Sequence, residues 1–545
     1  MSPTRTWAEG ELGLLTTRVF DICSLPNEIL ALILESVHEQ GHLRGTVRGR
    51  ATEEILISHV CSLWRNTALA IPELWTKYRC VKPSPERFAV EYERLQTYLT
   101  RSGTDTDLDL VFDFVDIPVT VKDRTVMDML NLVVPNLYRL RRFVLLSDGV
   151  NFVTPFHRAL TGVSAPRLEH FEVLTGQYHN INEEGYDGQP HWDPKILTEG
   201  PPNIKFLKLD SPASGRFRPP LNNLVHFSLE AGIPRLRLLL LWVCLEQVLS
   251  LPFIETFSLW DVVIANPNPG HLLRRIQAKR LKHVRFGRRP PSQHMRFGRW
   301  PCYPLFFFLH YVSAPLLETI TISSVTLNTP HTPAFPLVPG EADLGYIFPN
   351  LKFLFLNNII SSDPAQDQVA ESRTIKRLLT ATATIAHLCI STTVEIPGDG
   401  VLKALPVDPD LRRFQSWPQL RELTLSIPDQ AASTNLIQFC TDYWPQLSII
   451  RLPPSALYFV PTSREVPVEE SAHTRDPKPR SFWEDFVKKC SRSSGASGKS
   501  PDGKQVRIEE IQDSVLPMYW PPGYMRLSGM DTGNFDSVHK GPVGT

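Results

Sequence analysis

A short phrase recurs along the middle of this 545-residue chain: apolar, two variable residues, apolar, variable, apolar. It reads LEHFEV from Leu168, IKFLKL from Ile204, LVHFSL from Leu224 and IETFSL from Ile254. It continues as LKHVRF from Leu281, LETITI from Leu317, LKFLFL from Leu351, IAHLCI from Ile385, LRELTL from Leu420 and LSIIRL from Leu447, with LRRFVL from Leu140 as a first copy. The alternating end of each phrase has the period of a strand with one buried face. Proline stands two residues before many copies, at Pro166, Pro202, Pro252, Pro315, Pro349, Pro418 and Pro445. There it stops a preceding helix and opens a strand without needing a ladder donor. A unit this short buries its apolar face only by stacking on its neighbours. The repetition therefore predicts an α/β fold around a parallel sheet, as a solenoid or, alternatively, an ordinary α/β domain.

Composition narrows the rest. The 48 prolines argue for many short elements separated by turns. Charged residues make up 21% and hydrophobic ones 42%, a globular balance, and the formal net charge of zero gives no general attraction to nucleic acid or acidic membranes. The eight cysteines form no Cys-x-x-Cys pair, so neither a zinc module nor a disulfide framework is expected. The opening residues, MSPTRTWAEGELGLL, are acidic and lack an apolar core of signal-peptide length, and the most apolar runs, Leu238–Leu245 and Leu305–Val312, are too short to span a bilayer. The expected setting is the cytoplasm or nucleus.

Four regions follow. Residues 1–20 read as a flexible tail, 21–80 as a helical module, 81–460 as the repeated strands, and 461–545 as a largely disordered tail with mobility predicted across Ser491–Lys504. The helical module opens on LPNEILALILESV from Leu25, apolar on nearly all sides after Glu28. Such a helix must bury two faces. Three short helices cannot cover both, so a partner surface is expected over the second.

The ordered residues of this module resemble an F-box. Leu25, Pro26, Glu28 and Ile29 match the Leu-Pro-x-Glu-Ile/Leu start, and Val60, Cys61, Trp64 and Arg65 match Val-Cys-x-x-Trp-Arg. IPELW with Trp75, and YLTRSGTDTDLDLVF after it, resemble F-box proteins expanded in fungi. The resemblance implies docking on the Skp adaptor, and through it a cullin, by Leu25, Pro26, Ile29, Leu30, Ile33, Val60 and Trp64. The repeated phrase resembles the strand segment of leucine-rich repeats, a frequent companion of the F-box. It departs from that pattern in uneven spacing and in lacking the usual Asn or Cys three residues past the last apolar position, as at Ile359 and Thr393. The implied fold class is a small all-helical F-box module followed by an irregular leucine-rich-repeat-like solenoid with a parallel sheet. The implied role is the non-catalytic substrate receptor of a Skp–cullin–F-box ubiquitin ligase, with an unknown protein as substrate. The alternative is a protein-interaction scaffold outside any ligase.

Catalytic motifs are not apparent. SSGASGKS, ending at Lys499 and Ser500, has Ser493 where a phosphate-binding loop needs glycine, and it reads as a linker. The 16 histidines show no ligand spacing, so no catalytic residue, metal or cofactor is assigned. One charge feature stands out: between Asp261 and Glu318 there is no acidic residue but ten Lys and Arg. Such an interval is ordinarily a solvated face. The sharper reading makes Arg285, Arg288 and Arg289 a docking patch for an acidic or phosphorylated substrate segment.

Overall fold

The computed structural model describes residues 25–43, 53–115, 119–147, 153–175, 192–200, 202–230, 238–240, 242–260, 262–264, 275–287, 303–323, 348–357, 378, 380–391, 417–426, 446–452 and 507–510. Ser491–Lys504, Arg288 and Arg289 lie outside the described residues.

Among the described residues fourteen strands form one parallel sheet, ordered along it as they are along the chain. They are β1 (Lys77–Val81), β2 (Leu108–Phe114), β3 (Leu140–Ser147), β4 (His170–Leu174), β5 (Phe206–Asp210), β6 (His226–Glu230), β8 (Thr256–Trp260), β11 (His283–Gly287), β13 (Thr319–Ser323), β14 (Phe353–Asn357), β15 (His387–Ser391), β16 (Glu422–Ser426), β17 (Ile449–Leu452) and β18 (Arg507–Glu510). The remaining four strands make two small parallel pairs, β7 (Leu238–Leu240) with β9 (Val262–Ile264) and β10 (Ile276–Gln277) with β12 (Val312–Ser313). The fold is thus mixed α/β with a large parallel sheet, the coarse class read from the repeated phrase.

A typical phrase enters its strand through a turn. The N–H of its first apolar residue donates to the carbonyl three residues back, as in Leu168 to Ala165 (3.1 Å), Leu317 to Ala314 (3.1 Å), Leu351 to Phe348 (3.2 Å) and Leu420 to Trp417 (3.1 Å). The proline between them occupies the second position of this turn, where its fixed φ is already correct and its missing N–H costs nothing. It therefore builds the turn, rather than standing at the strand's own first residue. The three apolar positions then point to one side: Leu281, Val284 and Phe286 are buried, like Ile204, Leu207 and Leu209. Along that side aromatic rings stack from strand to strand, Phe143 on Phe171 with centroids 5.8 Å apart and Phe227 on Phe257 at 5.7 Å. Helices α4 (Phe88–Arg101), α5 (Val119–Val133) and α6 (Val153–Leu160) pack side by side there.

The second residue of each phrase forms a row along the strand-entry edge. Its N–H donates to the carbonyl of its counterpart one strand earlier: Glu169 to Arg141, Lys205 to Glu169, Lys282 to Glu255, Glu318 to Lys282 and Lys352 to Glu318. The charges alternate along these stretches, interrupted by Val225. Ion pairs join Lys205 to Glu169 (2.6 Å) and Lys282 to Glu255 (3.1 Å).

The ends differ from the sequence reading. Strand β1 begins at Lys77, inside the span expected to be helical up to residue 80, because Trp75, Tyr78 and Cys80 repeat the apolar phrase with aromatic and sulfur side chains. Strand β18 pairs with β17 in parallel, so the stretch expected to be a largely disordered tail contributes a strand to the sheet.

Candidate functional site: the helical module and the sheet face

Helix α1 (Asn27–Leu43) starts on the carbonyl of Pro26, which accepts from the N–H groups of Ile29 and Leu30, both at 3.0 Å. Proline suits this place because it has no N–H to satisfy. Helices α2 (Glu53–Ser58) and α3 (Ser62–Ala70) follow. Cys61 caps α3: its sulfur accepts from the Trp64 N–H at 3.5 Å and its carbonyl from the Arg65 N–H at 3.0 Å. Arg65 Nε in turn donates to the Ser58 carbonyl at 3.0 Å, closing the end of α2. Cys-x-x-Trp-Arg therefore has a local task, joining two helices at a corner.

The two sides of α1 have different surroundings. Leu30, Leu34 and His38 recur every four residues and are buried in the module's core. Ile29 is 45% exposed, Leu32 61% and Val37 46%, and nearby Leu56 and Val60 are 66% and 60% exposed. These are large apolar side chains left open to solvent on α1, on α2 and at the corner after it. Among the residues predicted to dock, Pro26, Ile29 and Val60 are exposed, while Leu25, Ile33 and Trp64 are half-buried. Leu30 belongs to the core instead: it follows Ile29 by about 100° around the helix, which turns it inward. Leu32, Val37 and Leu56 were missed, although the same all-round apolarity of LPNEILALILESV contains the first two.

A buried polar node ties this module to the sheet layer. Glu54 of α2 is fully buried and accepts a hydrogen bond from the Tyr98 hydroxyl of α4. His38 Nδ1 lies 3.7 Å from the other carboxylate oxygen of Glu54. Burial, with Lys77 nearby, pushes the His38 imidazole down to about 4. Trp75 donates its indole N–H to the Ala68 carbonyl at 2.9 Å and meets the Tyr98 ring edge-on at 5.3 Å, and the Arg101 guanidinium covers its other surface at 4.4 Å.

On the sheet face opposite the apolar phrase residues, Arg285 stands where alternation puts it. Its guanidinium carbon lies 4.2 Å from the centroid of Trp260, whose ring crosses the neighbouring strand directly over Gly287. Other lysines of the repeated phrases are held in ion pairs. Lys208 is 5% exposed and bridges Glu172 (3.0 Å) and Glu230 (3.4 Å), and Lys205 and Lys282 hold the glutamates of the entry row. Burial would raise the Glu172 carboxyl, but Lys208 and His170 outweigh it and hold it at about 2. His226 meets Thr256 (2.9 Å), His283 meets Thr319 (3.1 Å) and His387 meets Thr424 (2.8 Å), each on the next strand. Burial lowers all three imidazoles, so they are neutral partners of hydroxyls at neutral pH.

Among the described residues no helix is long and apolar enough to cross a membrane, and no group of three His, Cys, Asp or Glu side chains is placed to hold a metal ion. No protein-family model matches this chain, and no curated protein matches it.

Proposed function

We propose that this chain is the substrate-receptor subunit of a Skp–cullin–F-box ubiquitin ligase in the cytoplasm or nucleus. In this reading α1 to α3 form the F-box and dock on the Skp adaptor, and the strand array is an irregular leucine-rich-repeat-like solenoid that holds a protein substrate. The observation that carries the reading is the uncovered apolar surface of Ile29, Leu32, Val37, Leu56 and Val60 on a module whose residues agree in order with the F-box pattern. Fully burying a medium-sized apolar side chain is worth roughly 1.5–3 kcal/mol, so covering the open part of these five would favour a contact. The chemistry of ubiquitin transfer would belong to other subunits, and this chain would contribute proximity by raising the effective concentration of substrate lysines.

The test is co-purification of the full chain with a Skp adaptor and a cullin. Recovery of both supports a ligase subunit. Recovery of the adaptor without the cullin favours the scaffold reading, and a folded chain that retains neither ends the F-box assignment.

A further inference from the structure

The last variable residue before each phrase occupies the third position of the strand-entry turn, and it is normally polar. It is Arg167, Asn223, Asn350 and Gln419 at four of these turns. Two units, one on each side of β11, break the rule. Phe253 stands there before β8 and is 43% exposed, and Leu316 stands there before β13 and is 44% exposed. The unit between them places Arg280 at the same position.

Strands β8, β11 and β13 pair with Thr256, His283 and Thr319 side by side. Phe253, Arg280 and Leu316 each lie three residues before those partners. They consequently stand in line at roughly the strand spacing, about 4.8 Å from one to the next. The Arg280 guanidinium carbon is 5.6 Å from the Phe253 ring centroid, close enough for the ring face to attract it. Exposed Pro252 and Pro315 hold the two flanking turns, so little conformational freedom is lost when the row is covered.

The charge around the row is positive. Arg275, Lys279 and Arg280 are exposed, and Lys282 already holds Glu255. An exposed aromatic and a leucine flanking a ring-stacked arginine have the composition of an interface anchor. The guanidinium fork matches a carboxylate better than any other common side chain.

We propose that this strand-entry edge, centred on Phe253, Arg280 and Leu316, docks a short segment of a partner protein in which acidic side chains sit beside apolar ones. The row is narrow: the turns on its two sides carry Asn223 and Asn350, and the carboxylates of Glu255 and Glu318 lie along the same edge. That geometry fits a peptide with its own register of charge better than an anionic bilayer. The site lies apart from the helical module and does not depend on what that module binds.

The experiment uses the full chain and three labelled peptides of about 12 residues, the length of a typical peptide-recognition segment. One alternates Asp or Glu with Leu and Phe, the second replaces its acids by Lys, and the third replaces its apolar residues by Ser. Fluorescence anisotropy should show saturable binding of the first peptide alone. Phe253→Ser with Leu316→Ser should weaken it at least about tenfold, and Arg280→Glu by a similar factor. These positions are exposed, so near-ultraviolet circular dichroism should stay unchanged. Absence of saturable binding, equal binding by the variants, or equal binding of the serine peptide would overturn the proposal. So would self-association of the chain by sedimentation that Phe253→Ser abolishes, or binding to phosphatidylserine vesicles that the variants abolish, since each names a different occupant.

Discussion

The Tyr98 hydroxyl donates to the Glu54 carboxylate, and that contact pins a helix of the N-terminal module to the first helix backing the sheet. Tyr98→Phe would leave a buried carboxylate short of a donor, at a cost of about 1–3 kcal/mol. Removing the carboxylate as well, by Glu54→Leu, should recover part of that loss. Urea unfolding of the two single variants and the double variant measures the coupling. Strictly additive losses would show that the contact contributes nothing of its own.

On α1, adjacent residues should give opposite phenotypes. Leu30→Ala removes a fully buried side chain and should cost about 2–5 kcal/mol. Ile29→Asp lies on the exposed side and should leave the unfolding midpoint nearly unchanged while abolishing capture of a Skp adaptor, because an unpaired charge in an apolar contact is costly. Ile33→Asp should do the same with some loss of stability, since Ile33 is half-buried. Pull-down and thermal melts of the three variants separate the two effects.

Acidity should act through the buried histidines. Burial holds His38 and His170 at about 4, against 6.5 for an unburied imidazole. Between those values the unfolded chain takes up protons that the folded chain refuses. Stability should therefore be unaffected by them above about 6.5 and fall as the pH drops toward about 4, each group contributing a slope of at most about 1.4 kcal/mol per pH unit. Glu172, held at about 2, acts lower: its contribution is present above 4.5 and lost as the pH falls toward 2. Denaturation midpoints from pH 8 to pH 4, compared with His38→Gln and His170→Gln, give the check; flatter profiles in the variants are expected.

Gly287 is required by its neighbour. A Cβ there would stand 2.0 Å from Cζ3 of Trp260, so Gly287→Ala must push the ring off the strand and break its stacking with Arg285. A loss of about 1–3 kcal/mol is expected. In a Trp260→Ala background the same substitution should be close to neutral, and an undiminished loss there would place the strain elsewhere.

The sequence revealed what repeats and hid what does not. The phrase from Leu140 onward located its strands because leucine and isoleucine recur at strand period. The unit at Trp75, Tyr78 and Cys80 follows the same spacing and escaped because its side chains are large aromatics and a thiol. In the β2 unit the spacing of the phrase falls on exposed Asp107, and the first apolar place is filled one residue later by buried Leu108, across a register shift that hides the pattern. On α1 both covered and uncovered faces are apolar, so composition alone could not tell Leu30 from Ile29; only the position of the core decides. The Glu54–Tyr98 contact joins residues 44 apart in sequence, and the seat of Trp260 on Gly287 joins residues of two units. Neither has a local signal.

The alternating charges along the strand-entry edge give the array a parity. Excising the single unit from Leu281 through Leu316 would seat Glu318 beside Glu255, two carboxylates where Lys282 now pairs. Excising two units, through Asn350, would seat Lys352 there and restore an opposite pair. Exposed pairs of this kind are worth only about 0–1 kcal/mol, too little to hold a strand in place but enough to rank competing neighbours. Units could thus be gained or lost in even numbers along these stretches more readily than in odd ones.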